Sequence, residues 1–511
     1  MSNAPTQHLE PRRSSRLLSA AAVLLFVVAL SAISWRLYEH RPSEVVSLDR
    51  WALASYRDVI YFPLVALGDG VNPYDSVRDG DPRRYMERYP VADHLPLYSP
   101  LALLVFAPLA LLPVEASMIA FTALNTLMFL LLAWTTIRVI GRRPTVAGVF
   151  GLAAFLLVSQ PGRGTFNAGQ LSVPLALAIV GALEWGDRRR WRSAVLVAVS
   201  TLKPTFGGPF GVLLAARRDG RSALAGLAIG GCAFLVGMFA IFAWTGEVSI
   251  DRVTQVLSGN HAHLSQDPEA VPQTNKARTD LPAVYEYLTK QPVPGWVSLS
   301  VAAAILAITF AKLWRTRDAR QVETAASPAS ALIVVAIFIC IFHNVYDLPL
   351  LIVPLAACVS AADSSWKKIQ PVRRCLIATL LLAPFLNIFW TQGFHSLLER
   401  SGISWGPSAG VVLDGAYRVA CAANGLALFT VWGILIVSIP RGSKSAGSVV
   451  TQLHHPQEND RNRSSRTQEY PQPRQSLKHG PLGGNPLQEA LALSSAPVDE
   501  RQAVAPQRLI H

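Results

Sequence analysis

The sequence predicts an all-α, polytopic integral membrane protein, with about 11 to 13 membrane-embedded helices and two long loops on one side. Of its 511 residues, 51% are hydrophobic and only 15% are charged. The apolar residues come in blocks of about 15 to 25, the length that crosses a hydrocarbon core about 30 Å thick. The blocks do not alternate between polar and apolar residues. This excludes a closed barrel and leaves helices as the structure that lipid tolerates.

Basic residues explain the orientation of these blocks better than they explain a nucleic-acid partner. The net charge is +13, but the charges recur in clusters between apolar blocks, as cytoplasmic loops do under the positive-inside rule. The clusters are Arg12, Arg13 and Arg16; Arg138, Arg142 and Arg143; Arg188, Arg189, Arg190 and Arg192; Arg217, Arg218 and Arg221; Arg315, Arg317 and Arg320; Lys367, Lys368, Arg373 and Arg374. We therefore expect no nucleic-acid binding.

The first block, 17–35, follows a basic N-terminal segment, 1–16, and is long for the apolar core of a signal peptide. It is predicted to be an uncleaved anchor with its N-terminus in the cytoplasm. The next segment, 36–96, is then a long loop on the outer face, which we call the first long loop. It is polar and larger than a simple connector needs.

The remaining blocks complete a transmembrane domain over 17–441, and the polar tail 442–511 is predicted to be a disordered cytoplasmic extension. A second long loop on the outer face covers 245–296. The five cysteines lie in or beside apolar blocks without metal-ligand spacing. The blocks are 97–113, 117–137, 145–160, 168–185, 193–216, 222–244, 297–314, 329–343, 346–361, 374–391 and 411–439.

Two blocks leave their path through the membrane open. Block 97–113 is short and contains three prolines, so either it dips into the membrane without crossing or the charge rule fails at this point. Block 193–216 is too short for two full spans, yet it is basic at both ends. We predict that it enters from the cytoplasm, breaks at Lys203–Pro204 and again at 207–209, and returns.

With this topology, four separate stretches bring polar groups to the outer face. Lys203 stands out, because a charge within an apolar stretch costs roughly 2.5–3.5 kcal/mol at the bilayer centre. It either reaches toward a headgroup or binds an anionic group such as a lipid phosphate. The other polar groups are Asp58, Asp69 and Asp75 of the first long loop; Arg163, Asn167 and Gln170; and His343, Tyr346 and Asp347.

Taken alone, several of these residues have simpler interpretations. Asp58 could be solvated, or it could pair with Arg57 or Arg50. His261 and His263 form an HxH pair in the second long loop, but no third ligand has a diagnostic metal spacing. We expect no metal site and no cofactor, while dependence on a divalent metal stays open.

Short motifs add a family resemblance. Asp58 and Tyr61 are followed by G-V-N-P-Y-D (70–75), Y-S-P-L-A-L-L-V-F-A-P-L-A-L-L-P (98–113), N-A-G-Q-L-S-V-P-L-A-L-A (167–178) and L-K-P-T-F (202–206). In order and spacing these motifs resemble the bacterial polyprenol-phosphate-dependent mannosyltransferases, glycosyltransferase family 87 (DUF2029) of the GT-C superfamily. The match runs from about residue 50 to 220, with a looser match at 341–354, where the family often has a Trp-rich or His-rich segment.

The resemblance implies an inverting transfer of a sugar, typically mannose, from a polyprenyl-phosphate donor to a glycolipid or glycan acceptor. It places the enzyme in the bacterial inner membrane with its site on the extracytoplasmic side. Asp58 would be the general base, and Lys203 would contact the donor phosphate together with Arg163 and His343. The pocket residues it implies are Tyr61, Asn167, Gln170, Tyr346 and Asp347.

Two other functions fit the same residues. In a lipid or solute transporter, Lys203 and the outer carboxylates would form a substrate or ion path, but the sequence shows no paired halves. A non-catalytic scaffold would use the cytoplasmic tail to recruit partners, and it would tolerate replacement of Asp58 and Lys203.

Overall fold

The computed structural model describes residues 11–43, 45–76, 82–92, 98–246, 248–266, 277–317, 323–388 and 407–439. The chain divides after Gly447, and all described residues precede that point. The predicted cytoplasmic tail 442–511 and the side chains of His261 and His263 lie outside the described residues. The predicted domain boundaries stay predictions.

Helices dominate the described residues, which contain one isolated bridge between Arg278 and Asn344 and no strand. The all-α prediction is confirmed. The α-helices of the first half are α1 Pro11–Glu39, α2 Ala54–Tyr56, α3 Phe62–Gly68, α4 Arg83–Arg88, α5 Pro100–Phe106, α6 Val114–Val139, α7 Val146–Val158, α8 Gln160–Ala168, α9 Ser172–Trp185, α10 Arg190–Ser200 and α11 Pro204–Ala216.

The second half continues the helical bundle. Its α-helices are α12 Gly220–Trp244, α13 Ile250–Gln266, α14 Leu281–Thr289, α15 Gly295–Thr316, α16 Pro328–Cys340, α17 Ile352–Ser360, α18 Ser364–Lys367, α19 Pro371–Leu386 and α20 Pro407–Ser438.

Five helices within the described residues are long and apolar enough to cross a membrane, and a sixth span is possible if α7 and α8 count together. The five are α1, α6, α12, α15 and the part of α20 from Gly415 to Ser438. A polytopic membrane protein is thus confirmed. Shorter apolar helices accompany the long ones. Their length alone does not show that they cross a membrane, so the total of about 11 to 13 embedded helices stays a prediction.

Helix α16 is the centre of the bundle. All thirteen of its residues, Pro328–Cys340, are buried. A helix that is apolar all round is stable only when neighbours cover every face. Ser327 caps its N-terminus by accepting a hydrogen bond from the Ser330 amide, with Pro328 in the first turn. Its C-terminal end leads directly to His343.

The stretch between the predicted blocks 145–160 and 168–185 is helical. Helix α8 covers it and meets α7 at an angle of 75°. Ser159 ends α7 and caps α8, where its hydroxyl accepts from the Gly162 amide. A β-carbon on Gly162 would lie 1.8 Å from the Leu156 carbonyl oxygen, so only glycine permits this sharp bend.

The described residues of the first long loop contain several short helices. Residues 57–61 form a π-helical turn between α2 and α3, and such turns are frequent at functional sites. After α3, Asn72 accepts a hydrogen bond from the Tyr74 amide and caps a 3₁₀ turn at Pro73–Asp75. The turn predicted at 72–75 is therefore confirmed.

Block 97–113 is too short to cross a membrane in its described part. It consists of α5, followed by a 3₁₀ helix at Ala107–Leu111. About twelve helical residues span roughly 20 Å, less than a hydrocarbon core. This favours the alternative in which the block dips in without crossing.

Block 193–216 forms the predicted helical hairpin with one break instead of two. Helix α10 ends at Ser200 and α11 begins at Pro204, which confirms the break at Lys203–Pro204. The second break, predicted at Gly207-Gly208-Pro209, is wrong, because α11 runs continuously through these residues. Gly207 is needed for close packing instead: a β-carbon there would lie 2.6 Å from the Thr201 Cα.

The second long loop is tied to the rest of the molecule at two places. The Thr279 amide donates to the His343 carbonyl at 2.9 Å, and the Val345 amide donates to the Ala277 carbonyl at 2.8 Å. In α13, the Asn260 side chain donates to the Tyr74 carbonyl at 2.7 Å. The two long loops thus contact each other, and the second also pairs with the 343–345 stretch.

Candidate functional site

A buried carboxylate holds the lysine of the helical hairpin. Lys203 Nζ donates to both oxygens of Asp347, at 2.8 Å and 2.7 Å. The Asp347 side chain is fully buried, whereas the Lys203 side chain is 12% exposed. A buried ion pair needs further hydrogen bonds to offset the desolvation of both charges. Lys203 is therefore the member of the pair that a ligand can reach.

Asp347 receives those further hydrogen bonds. Ser172 Oγ, in the first turn of α9, donates to Oδ1 at 2.7 Å. His343 Nδ1 lies 3.0 Å from Oδ2, and the Asn344 amide donates to the same oxygen at 3.4 Å. The carboxylate therefore holds three separate chain segments at one point, those of Ser172, Lys203 and His343.

The ring of His343 packs closely against two aromatic rings. It packs edge-on against Phe206 and Phe338, with centroid distances of 4.4 Å and 5.2 Å. Its Nε2 lies 3.3 Å from the Thr205 carbonyl oxygen. That oxygen accepts no hydrogen bond within the helix, because Pro209, four residues later in α11, has no amide hydrogen to donate. The proline thus supplies an acceptor for His343.

Tyr346 faces the ammonium group. Lys203 Nζ lies 5.3 Å from the centroid of the Tyr346 ring and 5.5 Å from that of Phe206. The Tyr346 hydroxyl accepts from Asn344 Nδ2 at 2.5 Å, and its carbonyl accepts from Thr165 Oγ1 at 2.6 Å. Helix α8 is thereby attached to the 343–347 stretch.

Gln170 joins the first long loop to this cluster. Its Oε1 accepts a hydrogen bond from the Tyr98 hydroxyl at 2.5 Å, and its Nε2 donates to Ser55 Oγ. Gln170 lies two residues before Ser172, the partner of Asp347. Gly169 adopts φ +69°, and a β-carbon there would come within 2.8 Å of the Tyr56 Cβ. The turn at 169–172 therefore contacts both the first long loop and the Asp347 cluster.

Asp58 is buried in the first long loop, with 1% exposure, and pairs with Arg57. Arg57 donates through Nε to Oδ1 and through Nη2 to Oδ2, the latter at 2.9 Å, while the Ala92 amide donates to Oδ2 at 3.0 Å. Burial raises the pKa of the neighbouring Tyr85, with smaller contributions from Tyr89 and Asp58. The simpler interpretation, in which Asp58 pairs with Arg57, describes the resting arrangement.

The remaining predicted residues have separate positions. Arg163 donates through Nη2 to Gln160 Oε1 at 2.9 Å. Asn167 accepts the Leu53 amide on its carbonyl at 2.8 Å, which anchors the start of the first long loop. The Tyr61 hydroxyl donates to the Leu112 carbonyl at 2.9 Å, a contact typical of packing.

Several buried polar atoms around these residues have no hydrogen-bond partner within the described part of the chain. The atoms are Arg57 Nη1, Arg163 Nε, Asn167 Oδ1, Thr205 Oγ1 and Asn344 Oδ1. Native proteins leave few such groups unsatisfied, so each of these atoms keeps hydrogen-bonding capacity for a water molecule or a polar ligand.

The described residues contain no group of three His, Cys, Asp or Glu side chains that could hold a metal ion. Positive charge at the site comes from Lys203, Arg57 and Arg163. The structure also brings in residues that the sequence did not single out: Ser172, Tyr98, Ser55, Thr205 and Asn344. Ser172, Tyr98 and Thr205 lie within the quoted motifs, and that was the signal available for them.

Comparisons with known proteins show which proteins the chain is similar to. The model of glycosyltransferase family 87 matches residues 97–341, a region that contains Lys203, Arg163, Asn167 and Gln170. A protein of Mycobacterium tuberculosis, named polyprenol-phosphate-mannose-dependent alpha-(1-2)-phosphatidylinositol mannoside mannosyltransferase, is 26% identical over 403 residues. This match covers 74% of the present chain and 83% of the relative. No solved structure matches. The chain is thus a membrane glycosyltransferase whose residues 97–341 match the model of glycosyltransferase family 87.

Proposed function

We propose that this enzyme transfers mannose from a polyprenyl-phosphate donor to a glycolipid acceptor, with inversion, on the extracytoplasmic side of the bacterial inner membrane. The name of the mycobacterial relative supports the donor and the acceptor class. The observation that carries the proposal is the Lys203–Asp347 pair. The Asp347 carboxylate is fully buried, while the Lys203 side chain is 12% exposed.

In the proposed reaction the acceptor hydroxyl attacks the anomeric carbon of the donor sugar. Asp58 takes the proton of that hydroxyl as the new C–O bond forms. The bond between the anomeric carbon and the phosphate oxygen breaks, and its electron pair leaves with the polyprenyl phosphate. Because the leaving group is a phosphate, which is only weakly basic, no general acid is strictly required, unlike in inverting glycosidases, which use two carboxylates.

Lys203 would stabilise the charge that develops on the departing phosphate. Preorganised cations in a site that excludes water contribute strongly to such steps. Asp347 holds the ammonium by two hydrogen bonds, so Lys203 needs no reorganisation when the donor arrives. Arg163 and His343 complete the proposed phosphate-binding set, with Tyr346, Asn167, Gln170, Tyr61 and Asp347 around the sugar pocket.

The resting pair of Asp58 and Arg57 places a condition on this mechanism. Both carboxylate oxygens accept hydrogen bonds from Arg57, and Oδ2 also accepts one from the Ala92 amide. The acceptor hydroxyl must therefore approach a remaining lone pair or displace the Ala92 amide. The unpartnered Nη1 of Arg57 offers the incoming sugar a donor next to the base.

Sugar transfer by the purified full chain in nanodiscs tests the proposal. Radiolabelled polyprenyl-phosphate mannose is offered with a phosphatidylinositol mannoside acceptor, beside the corresponding glucose and arabinose donors. The proposal expects transfer from the mannose donor and its loss in Lys203→Met. Transfer from another donor alone would refute mannose, and transport of the donor without transfer would favour the transporter.

A further inference from the structure

A groove of about 950 Å³ opens between α6, α9 and α10. It lies away from the site described above. Its walls include Met128 and Leu131 of α6, Leu177 of α9 and Leu196 of α10. Its volume is at the upper end of the range for ligand sites, which is about 300–1,000 Å³. The walls along most of its length are apolar, so the groove fits hydrocarbon.

One end of the groove is cationic. Arg138, at the C-terminal end of α6, and Arg188 and Arg189, which follow α9, line this end and are exposed. Glu184 is the one acid among the lining residues. One of its carboxylate oxygens accepts the Ala325 amide at 3.0 Å, which directs that group toward the protein. The cationic end therefore carries a net positive charge.

Two tryptophans mark the level at which the apolar walls give way to the arginines. Trp134 and Trp185 line the groove. The Arg138 guanidinium lies 5.6 Å from the Trp134 ring centroid. Tryptophan is enriched where hydrocarbon meets the headgroup region of a membrane. The groove thus reproduces the polarity of one leaflet, from an apolar interior to a charged boundary.

The groove and the site described above are separated along α9. Ser172, in the first turn of that helix, contacts Asp347, whereas Trp185 ends the helix near the arginines. Fourteen residues of α-helix span about 20 Å. The arginines therefore lie too far from Lys203 to share one phosphate with it, and they face the opposite end of α9.

We propose that this groove binds one anionic phospholipid from the leaflet that the arginines face. Its phosphate contacts Arg138, Arg188 and Arg189, and its acyl chains lie along Leu131, Leu177 and Leu196. Basic pockets between membrane helices bind anionic headgroups in this way, and each cation near the surface adds to the attraction. Charge complementarity favours an anionic over a zwitterionic lipid.

Native mass spectrometry of the delipidated full chain in detergent tests the proposal. The probes are dioleoyl phosphatidylglycerol and dioleoyl phosphatidylcholine. We expect one phosphatidylglycerol to bind more tightly than phosphatidylcholine. The triple variant Arg138→Gln/Arg188→Gln/Arg189→Gln should weaken that binding roughly tenfold or more. Leu131→Trp, which fills the groove without changing charge, should weaken both lipids.

Matched controls separate the groove from general surface charge. Arg142, Arg143 and Arg221 are exposed and do not line the groove, so their triple replacement by Gln should leave binding unchanged. Leu127→Trp, one turn before Leu131 and also outside the lining, should do the same. Equal loss in the controls, equal binding of the two lipids, or unchanged binding in the test variants would overturn the proposal. So would displacement of phosphatidylglycerol by decaprenyl phosphate, which would assign the groove to the donor's tail.

Discussion

Lys203 and Asp347 are 144 positions apart in the chain, yet they form a two-hydrogen-bond ion pair at 2.8 Å and 2.7 Å. This pair joins the break between α10 and α11 to the stretch that follows α16. It also connects, through Ser172, to α9. Three parts of the bundle are therefore held in register by one carboxylate, and the site's geometry depends on it.

Removing the two partners of this pair should have unequal effects on stability. Asp347→Asn leaves a lysine without its countercharge and should cost about 3–5 kcal/mol, as breaking buried pairs does. Lys203→Met should cost less, because Asp347 keeps Ser172, His343 and the Asn344 amide. Thermal melting of the detergent-solubilised variants measures the order. The double variant should be less destabilised than the sum of the single ones, and strict additivity would contradict the coupling.

Gln170 should be required for docking the first long loop. Gln170→Leu leaves the Tyr98 hydroxyl and Ser55 Oγ without their shared partner, at a cost of about 1–3 kcal/mol for each group left unsatisfied. Melting temperature and sugar transfer should both fall. Gln255→Leu is the matched control, since its partner Arg252 and the residue itself lie at the surface. A similar fall in melting temperature and transfer in both variants would argue against a specific role of Gln170 in docking the first long loop.

Two adjacent glycines of α11 should respond in opposite directions to alanine. At Gly207 a β-carbon would come within 2.6 Å of the Thr201 backbone, whereas nothing lies within 4 Å at Gly208. Gly208→Ala should stabilise the helix by about 0.5–1 kcal/mol. Gly207→Ala should destabilise the hairpin and displace Lys203, lowering both the melting temperature and transfer. Matching melting curves for the two variants would refute the close α10–α11 contact.

Tyr85 should make the protein sensitive to alkaline pH. Burial raises its pKa in the folded state, while the unfolded value stays near about 10. Below pH 10 both states keep the proton; above it only the unfolded state ionises, so stability is lost as pH rises. The loss is about 1.4 kcal/mol for each pH unit above 10. In Tyr85→Phe, melting temperatures measured from pH 8 to 11.5 should decline less steeply; an unchanged slope would contradict this.

The helical class and several residues of the candidate site could be predicted from sequence, because apolar blocks and isolated polar groups are local signals. Lys203, Asp347, His343 and Gln170 were all singled out in this way. Their pairing could not be predicted, since Lys203 and Asp347 share no local pattern. The second break predicted in α11 was wrong for a physical reason. Pro209 has no amide hydrogen, so the Thr205 carbonyl lacks its helical hydrogen bond. His343 Nε2 lies 3.3 Å from that carbonyl oxygen and replaces the missing partner, so the helix continues.

The proposed role of Asp58 as the base of the transfer is tested by comparing transfer rates of two aspartate variants. Initial rates of mannose transfer are measured for wild type, Asp58→Asn and Asp69→Asn in nanodiscs. Asp69 is an exposed acid of the same loop, paired with Arg88 at the surface, so Asp69→Asn should keep its activity. Asp58→Asn should lose about 10²–10⁴ in rate while remaining folded. A folded Asp58→Asn enzyme as active as Asp69→Asn would contradict the account.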